Sequence, residues 1–480
     1  MDTNQTRRDR LAQIEAQIVL LEAERKSIQK KLHSLTYPVL SLPFEITSEI
    51  FARCLPDACT AENIPSSKHD QPPTAFILTQ ICRNWRQVAL DTPRLWATFR
   101  VSLDDWSSIP DLRRRFMEWV GRAKTSPLSF TLHRTSSSDL PSPTIFTPIL
   151  DLSMQWWDVD LQIPSNVLIM EQFQSHLYGR LPNLQRLRLK TEERIAALVT
   201  AFEHAPSLRR VVLERQPRLI LLPWRQLTHF TGGDFSGKDC LHVLQSALSL
   251  VECKFVGVQG FVDSPLLPHP HLALKVLHLK GYDACATLLG ILTLPSLVEL
   301  SYDDGNASGF KEEFLAFLSH SHPPLQRLSL PSAYQLLLHS ASSLPQLAEL
   351  TVSLQSGDVS DLLDRMRVAS FLPNLQSLVL SAWEPTFWSV IQNPGPINYG
   401  RLLEVLNCRW STNQPGPRFR SFQMTWSPDD VHRDKPEENK LLLIPPPDFR
   451  LSLLSMLDLV EQGMRISVVV RAGHAEKTWI

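Results

Sequence analysis

The stretch GGDFSGKD, residues 232–239, is the part of this chain whose residue types and spacing come nearest to a known chemistry. It follows the phosphate-binding pattern G-x-x-x-x-G-K-[ST] up to its last position, and it lies between a strand-like QLTHF and a helix-like CLHVLQSAL. That last position needs a hydroxyl group for magnesium, and Asp239 supplies a carboxylate instead. A nucleotide-binding enzyme that uses the loop from Gly232 to Lys238 is therefore a remote alternative, and a turn between a strand and a helix is the favoured interpretation.

Histidine and cysteine are the other residues that could carry chemistry here. His269 and His271 form one close pair and His320 and His322 another, but neither pair has Cys or carboxylate partners at metal-ligand spacing. The patterns HExxH and GxSxG are absent, and none of the seven cysteines has a catalytic signature around it. The sequence therefore predicts a protein that is not an enzyme and has no catalytic residue, no metal site and no cofactor.

Charge and cysteine content narrow the class of protein further. The chain has 480 residues, with 48 basic and 49 acidic side chains, so it has no general attraction to nucleic acid or to a membrane. Seven cysteines without a CxxC pair favour a reducing compartment over a disulfide framework. The N-terminal MDTNQTRRDR lacks the apolar core of a signal peptide, and no apolar run reaches the roughly 18 residues of a membrane span. We expect a soluble protein of the cytoplasm or nucleus.

A heptad repeat occupies residues 11–35. Its seam positions alternate at spacings of three and four, and only Arg25 interrupts the apolar series Leu11, Ile14, Ile18, Leu21, Ile28, Leu32 and Leu35. This spacing is typical of a coiled coil. Three interpretations stay open, namely self-association, docking on the same chain and a free helix, and Arg25 argues against a very stable dimer.

Two short amphipathic helices are predicted after the heptad. The first lies in LPFEITSEIFARCLPD, residues 42–57, and the second contains ICRNWRQVAL, residues 81–90, with a polar loop between them. The second helix should end at the Asp91-Thr-Pro93 sequence, because a residue that precedes proline avoids the helical region. Leu95 and Trp96 follow just beyond this end.

An internal repeat begins near residue 181. The pattern L-x-x-L-x-L recurs at nearly even intervals, and most of these intervals match the repeat length of leucine-rich repeats, which is roughly 20–29 residues. The sixth position is apolar in nine of ten units, and Gly232 is the exception. The asparagine or cysteine that usually follows is missing, so we expect an irregular solenoid. The first leucines of the ten units are Leu184, Leu208, Leu227, Leu250, Leu274, Leu297, Leu325, Leu347, Leu375 and Leu403.

Residues 42–96 resemble an F-box, the adaptor-binding module of SCF-type ubiquitin ligases. The matching residues are Leu42, Pro43, Glu45, Ile46, Ile50, Phe51, Leu55, Ile81, Cys82, Arg83, Trp85, Asp91, Leu95 and Trp96. The segment is similar to a large fungal group with an LPxEI start, a VCRxWRxVAL-type helix and a TPxLW end, which often carries a coiled coil before the box and leucine-rich units after it. Specific motifs occur only within the box itself.

The resemblance implies both a domain layout and a function. The expected α/β chain has a coiled-coil helix (1–37), a small all-α F-box (38–100), a connecting segment (101–180) and an irregular leucine-rich-repeat solenoid with a C-terminal cap (181–480). The box would dock on a Skp-family adaptor and through it a cullin–RING ligase, while the repeats bind a protein substrate for ubiquitin-dependent degradation. A non-enzymatic protein-interaction scaffold is the alternative.

The resemblance also names candidate contacts with the adaptor, although each residue could instead belong to the core of the small helices. These candidates are Leu42, Pro43, Ile46, Ile50, Leu55, Ile81, Cys82, Trp85, Leu95 and Trp96.

Overall fold

A computed structural model describes most of the chain. The described residues are 3–34, 38–55, 73–102, 112–134, 146–191, 193–260, 270–282, 284–304, 310–331, 340–354, 360–368, 370–383, 399–410, 419–427, 447–472 and 475–478. Fifteen strands follow one another in chain order in one sheet. The chain divides within β2 into two compact units, residues 1–131 and 132–480, and each is treated by itself.

Unit 1 is mainly helical. Its elements are α1 (Thr3–Ser34), α2 (Phe44–Arg53), α3 (Thr74–Ile81), α4 (Arg83–Leu90), β1 (Thr98–Ser102), α5 (Leu112–Ala123) and the first part of β2 (Leu128–His133), with 3₁₀ turns at Pro38–Ser41 and Pro93–Trp96.

Cys82 divides what the sequence predicts as a single helix into α3 and α4. Its backbone is extended, with φ −156° and ψ 169°, and its Sγ accepts a hydrogen bond of 3.4 Å from the Trp85 amide. Cys82 therefore caps α4 in the way that a serine or aspartate usually does. The helix ends near Asp91, as predicted.

Unit 2 alternates strands with helical or irregular returns. Its strands, after the end of β2, are β3 (Trp156–Gln162), β4 (Arg186–Lys190), β5 (Arg210–Glu214), β6 (His229–Gly233), β7 (Glu252–Val258), β8 (Val276–Gly281), β9 (Glu299–Asp304), β10 (Arg327–Pro331), β11 (Glu349–Leu354), β12 (Ser377–Trp383), β13 (Ser421–Ser427), β14 (Arg465–Ala472) and β15 (Ala475–Thr478). Its helices are α6 (Thr147–Leu150), α7 (Ser165–Ile169), α8 (Glu171–Leu177), α9 (Gly237–Ser246), α10 (Ala284–Ile291), α11 (Phe310–Ser321), α12 (Ser360–Met366), α13 (Tyr399–Trp410) and α14 (Pro447–Glu461).

The strands of unit 2 keep one register. Strands β3 to β14 pair in parallel, with a single shift at β7, and β15 pairs antiparallel with β14. One side of the parallel strands is buried, as at Leu187 and Leu189 of β4 or Leu378 and Leu380 of β12. Helices cover this side: Tyr302 of β9 stacks on Phe310 of α11 with ring centroids 3.7 Å apart.

The prediction of a small all-α domain followed by an irregular solenoid is wrong, although the α/β class is right. Unit 1 contains strand β1, which begins at Thr98, and the start of β2, so it is not all-α. The strands are also regular, because backbone pairing holds their register without an asparagine ladder.

Polar side chains just before several strands take the place of that ladder. Asn183 donates to the Met154 carbonyl at 2.8 Å, and Asn374 donates to the Pro345 carbonyl at 2.7 Å. Gln226 likewise donates to the Ala205 carbonyl at 2.7 Å. Each bond satisfies a carbonyl of the preceding repeat, which ties neighbouring units together.

The repeat leucines have two outcomes. The first nine lie in the interior, each at 2% exposure or less, directly before or within their strands. The tenth, Leu403, is in helix α13, and its position before β13 belongs instead to buried Phe419. That assignment is wrong, because the series Leu402, Leu403, Val405, Leu406 has helical spacing.

Gly232, the exception in the repeat pattern, has a packing reason. It lies on the buried side of β6, where an added Cβ would come within 2.6 Å of the Phe235 ring. Phe235 is fully buried and fills the space that a larger residue at position 232 would occupy. The smallest side chain is therefore needed there.

Candidate protein-binding surfaces

Large apolar side chains on and near α2 and α3 are exposed. We call this set, which lies within unit 1, the apolar surface residues. The set comprises Val39 (44% exposed), Leu42 (37%), Phe44 (44%), Ile46 (50%), Ile50 (44%), Phe76 (40%), Ile77 (44%) and Ile81 (55%). In the described part of unit 2, exposed large apolar residues such as Leu248 and Leu272 are spread more thinly along the chain. A concentration of this kind marks a protein-binding surface more often than scattered single residues do.

The predicted adaptor contacts divide into three groups. Leu42, Pro43, Ile46, Ile50 and Ile81 are exposed, and Leu55, Cys82 and Trp85 are half-buried.

Leu95 and Trp96 are fully buried, so their side chains lie in the interior of unit 1 rather than on its surface. The Trp96 indole donates to the Ala89 carbonyl at 2.9 Å and stands edge-on to Trp119, with centroids 4.7 Å apart. The Arg122 guanidinium lies 4.5 Å from the centroid of the same ring. These contacts make Trp96 a core residue of unit 1.

Trp85 joins α2 to α4 from a half-buried position. Its ring meets buried Phe51 edge-on, with centroids 5.0 Å apart. Its indole nitrogen is buried and has no hydrogen-bond acceptor among the described residues. A buried donor without an acceptor lowers the stability of the folded state, so the Trp85 indole N–H makes an unfavourable contribution to the free energy of folding of unit 1.

Four of the apolar surface residues are not among the predicted contacts, namely Val39, Phe44, Phe76 and Ile77. A signal was present in TAFILTQI, which is apolar around most of its circumference. A helix of this kind buries one side, here Ala75 and Leu78, and exposes the other.

Helix α1 exposes its heptad seam. Leu11, Ile14, Ile18, Leu21 and Ile28 are between 44% and 59% exposed. The Leu32 side chain and Leu35 lie outside the described part of the structure.

The outward side of the unit 2 sheet is polar, and we call it the polar face. Its first row crosses successive strands at Asp158, Arg186, Arg210, His229, Glu252, Val276, Glu299, Arg327, Glu349, Ser377, Ser421 and Arg465. A second row runs parallel at Asp160, Arg188, Val212, Thr231, Lys254, His278, Ser301, Ser329, Thr351, Val379, Gln423 and Ser467.

Cross-strand ion pairs occupy the early part of the polar face. Arg188 approaches Asp160 at 3.1 Å, and Arg327 approaches Glu299 at 2.6 Å. Arg210 forms no ion pair with any residue that the structure describes. Its neighbours in the same row are Arg186 and His229. The carboxylates of these two pairs are largely buried, whereas the Arg188 and Arg327 side chains are 42% and 47% exposed, so their guanidinium groups can also contact another molecule.

The later part of the polar face is rich in hydroxyl groups. After Glu349 the first row continues with Ser377 and Ser421, and Thr351 and Gln423 lie in the second. Ser421 donates a hydrogen bond of 2.9 Å to Ser377 on the neighbouring strand. The face therefore offers a charged region followed by a neutral, hydrogen-bonding one.

The polar face predicts a loss of stability in acid. Burial lowers the pKa of His278, assisted by Lys254, and burial lowers the pKa of His229, assisted by Arg210. Because the unfolded chain then binds more protons, this stability is complete above the ordinary histidine pKa of about 6.5 and declines as the pH falls below it. Urea unfolding between pH 7.5 and 5.5 should show the decline, with a shallower slope in the variant His229→Gln/His278→Gln. Equal slopes would contradict this origin.

The loop that resembles a phosphate-binding motif has a structural role. Ser236 Oγ accepts a hydrogen bond from the Asp239 amide, and the Asp239 carboxylate in turn accepts from the Ser236 amide. Asp239 also pairs with Arg218 at 3.0 Å. This capping box uses the amides at the start of α9, and it explains why position 239 is an aspartate.

Histidine and cysteine also have structural surroundings. His271 bonds the Ala247 carbonyl at 3.1 Å and His320 bonds the Leu292 carbonyl at 2.8 Å, while His269 lies outside the described residues. Burial raises the pKa of the Cys240 and Cys253 thiols, which disfavours the reactive thiolate. Among the described residues, no group of three His, Cys, Asp or Glu side chains could hold a metal ion.

Membrane-spanning character is also lacking in the described helices, none of which combines the required length with enough apolar residues. A scan against protein-family models finds no family that matches this chain, and a search of the curated proteins finds no matching relative.

Proposed function

We propose that this protein is a non-catalytic substrate-recognition subunit of an SCF-type ubiquitin ligase. In this proposal the apolar surface residues of unit 1 dock on a Skp-family adaptor, and the polar face of unit 2 holds a protein substrate. The observation that carries it is the exposure of Leu42, Ile46, Ile50 and Ile81, four apolar residues within the segment that resembles an F-box.

The energetics of docking support this role for the exposed residues. Fully burying an Ile, Leu or Phe side chain gains roughly 1.5–3 kcal/mol, and these side chains, which are 37–55% exposed, would gain about half of that. A few such anchors dominate a typical interface, and Phe44, Phe76 and Ile77 add to those named by the resemblance. Leu95 and Trp96 would act indirectly, by holding α4 in place.

The proposed role of unit 2 is to position a substrate. Its polar face presents charged groups from β3 to β11 and hydroxyl groups on β11 to β13, a surface suited to hydrogen bonds and ion pairs with a polypeptide. Ubiquitin transfer would be carried out by the cullin–RING partners and a conjugating enzyme, with this chain contributing proximity alone. The six described cysteines are free thiols, which fits the reducing cytoplasm or nucleus.

The test is co-purification with a Skp-family adaptor. We expect wild type to form a stoichiometric complex, and the double variant Ile46→Asp/Ile50→Asp to bind at least about 100-fold more weakly, because each hot-spot anchor contributes about 2 kcal/mol or more. Both residues are half exposed, so the variant should still fold, which circular dichroism would check.

The matched control is Leu248→Asp/Leu454→Asp. It places the same charges on residues of similar exposure, 57% and 62%, in unit 2, and it should bind the adaptor normally. Failure of folded wild type to bind would refute the proposal. Equal binding by the two double variants would remove α2 from the interface. A complex that recruits no cullin would favour an interaction scaffold.

A further inference from the structure

We propose that α1 pairs with α1 of a second copy of this chain as a parallel, in-register two-stranded coiled coil. The inference is independent of adaptor docking, which uses other residues of unit 1. It rests on the exposed seam of α1, on the charges beside that seam and on the place of Arg25.

The seam is an apolar surface along a continuous helix. From Leu11 to Ile28 its described apolar residues are at least 44% exposed, although α1 runs unbroken from Thr3 to Ser34. In proteins a helix gains most of its stability by packing such an apolar stripe against another element. In a coiled coil these side chains would insert between those of the facing helix at every layer.

Charges beside the seam select the second copy and its direction. One flank carries Arg8, Glu15, Glu22 and Gln29, and the other carries Arg10, Gln17, Glu24 and Lys31. In a parallel pair each residue of the second flank faces the residue five positions later on the other copy. Arg10 then meets Glu15, Gln17 meets Glu22, and Glu24 meets Gln29, so no like charges face each other along the two flanks. Arg10 now donates to Gln13 of its own helix at 3.2 Å, an exposed contact that is readily exchanged.

Antiparallel pairing brings like charges together. Two antiparallel registers keep both Leu11 and Ile28 opposite apolar residues. In one, Glu15 faces Glu22 and Arg10 faces Lys31; in the other, Glu22 and Glu24 each face their own counterparts. Like-charge contacts of this kind destabilise the pair, so the parallel arrangement is favoured.

Arg25 fits the same arrangement. At its seam position it would face Arg25 of the second copy in the layer between Leu21 and Ile28, with Glu24 of that copy beside it. The neighbouring carboxylate compensates its charge. A single polar residue on the seam fixes the register and the number of strands at some cost in stability.

The first experiment measures the mass of the full-length protein by sedimentation equilibrium. Wild type should reach twice the 54.6-kDa mass of the chain, and Ile18→Asp should remain a monomer. Leu20→Asp is the matched control, because Leu20 is 71% exposed on the same helix but lies off the seam. The control should dimerise like wild type, and Arg25→Leu should dimerise more tightly. A monomeric wild type, or loss of the dimer in both Asp variants, would overturn the proposal.

Direction is tested by exchanging charges. In the parallel pair Arg10→Glu faces Glu15 and should raise the dissociation constant roughly tenfold, and Arg10→Glu/Glu15→Arg should restore it. In the antiparallel register that brings Arg10 to Lys31, the single variant would tighten the dimer instead. That result would refute the parallel arrangement while leaving adaptor binding unaffected.

Discussion

Replacing Trp96 with alanine is expected to lower the free energy of unfolding of unit 1 by about 4 kcal/mol, because truncating a fully buried aromatic residue typically costs about 3–5 kcal/mol. The change removes the hydrogen bond to the Ala89 carbonyl, the edge-on contact with Trp119 and the stacking of Arg122. Its cavity would lie where the 3₁₀ turn Pro93–Trp96 packs on α5. Loss of adaptor binding in this variant would therefore report unfolding rather than a missing contact.

The measurement is urea unfolding, with hydrogen exchange of the α4 and α5 amides as the local readout. Trp96→Phe should fall between wild type and the alanine variant, since it keeps an aromatic ring but cannot donate to Ala89. Ile81→Ala serves as the control, because Ile81 is 55% exposed and its truncation should cost little. A Trp96→Ala protein within about 1 kcal/mol of wild type, the effect of an ordinary substitution, would show that the turn is not anchored as described.

The second large effect is expected at Arg409. This residue of α13 is only 7% exposed, yet no carboxylate among the described residues pairs with it. Its guanidinium donates to the carbonyls of Met366 at 2.7 Å, Val368 and Leu372 at 3.2 Å each, and Phe371. These acceptors lie at the end of α12 and in the turn after it, so one side chain ties this turn to α13; Val368 and Leu372 also accept from the Phe371 and Leu375 amides. Burial lowers the Arg409 pKa, but the group stays charged at neutral pH.

Arg409→Met should destabilise this part of unit 2 by about 3 kcal/mol, since it removes the guanidinium donor from the Met366 and Phe371 carbonyls and the second donor from the Val368 and Leu372 carbonyls. Hydrogen exchange of the α12 and α13 amides should then accelerate by at least about 100-fold, the rate equivalent of roughly 3 kcal/mol. Arg401→Met is the control on the same helix. Arg401 pairs with Asp364 at 3.0 Å in an exposed position, so its loss should change exchange only slightly. Similar hydrogen-exchange rates in both variants would show that the hydrogen bonds of Arg409 do not stabilise this part of unit 2.

Local periodicity predicted much of this fold. The heptad residues from Leu11 to Leu32 lie on one continuous helix, and the first nine repeat leucines are buried just before their strands, because both patterns depend on spacing within a short window. Leu403 shows the limit of the method. A helix with apolar residues at positions one, four and six of a window satisfies the strand pattern by chance, and the strand that it displaced begins further along the chain, at Ser421.

The binding-surface residues were less predictable. The burial of Trp96 depends on Trp119 and Arg122, which lie on a later helix, and no local pattern in the sequence indicates these contacts. Cys82 was predicted to contact the adaptor, but its side chain also caps α4. Cysteine is not among the usual N-cap residues, so the sequence did not indicate this role. The two rows of the polar face could not be predicted from the sequence of any single strand, because they form only when neighbouring strands pair in register.

Strand pairing between chain neighbours gives unit 2 an unusual tolerance to changes in length. Leu328 pairs with Leu350 across a short return, whereas Leu378 pairs with Phe422 across a return twice as long, and both pairs sit in the same parallel sheet. Because doubling a loop adds only about 0.6 kcal/mol to the cost of closing it, a return segment can grow without moving the strands on either side. Folding can likewise start at any adjacent pair and spread outward one strand at a time. The returns of unit 2 are therefore free to diversify in length while the rows of its exposed face stay in place.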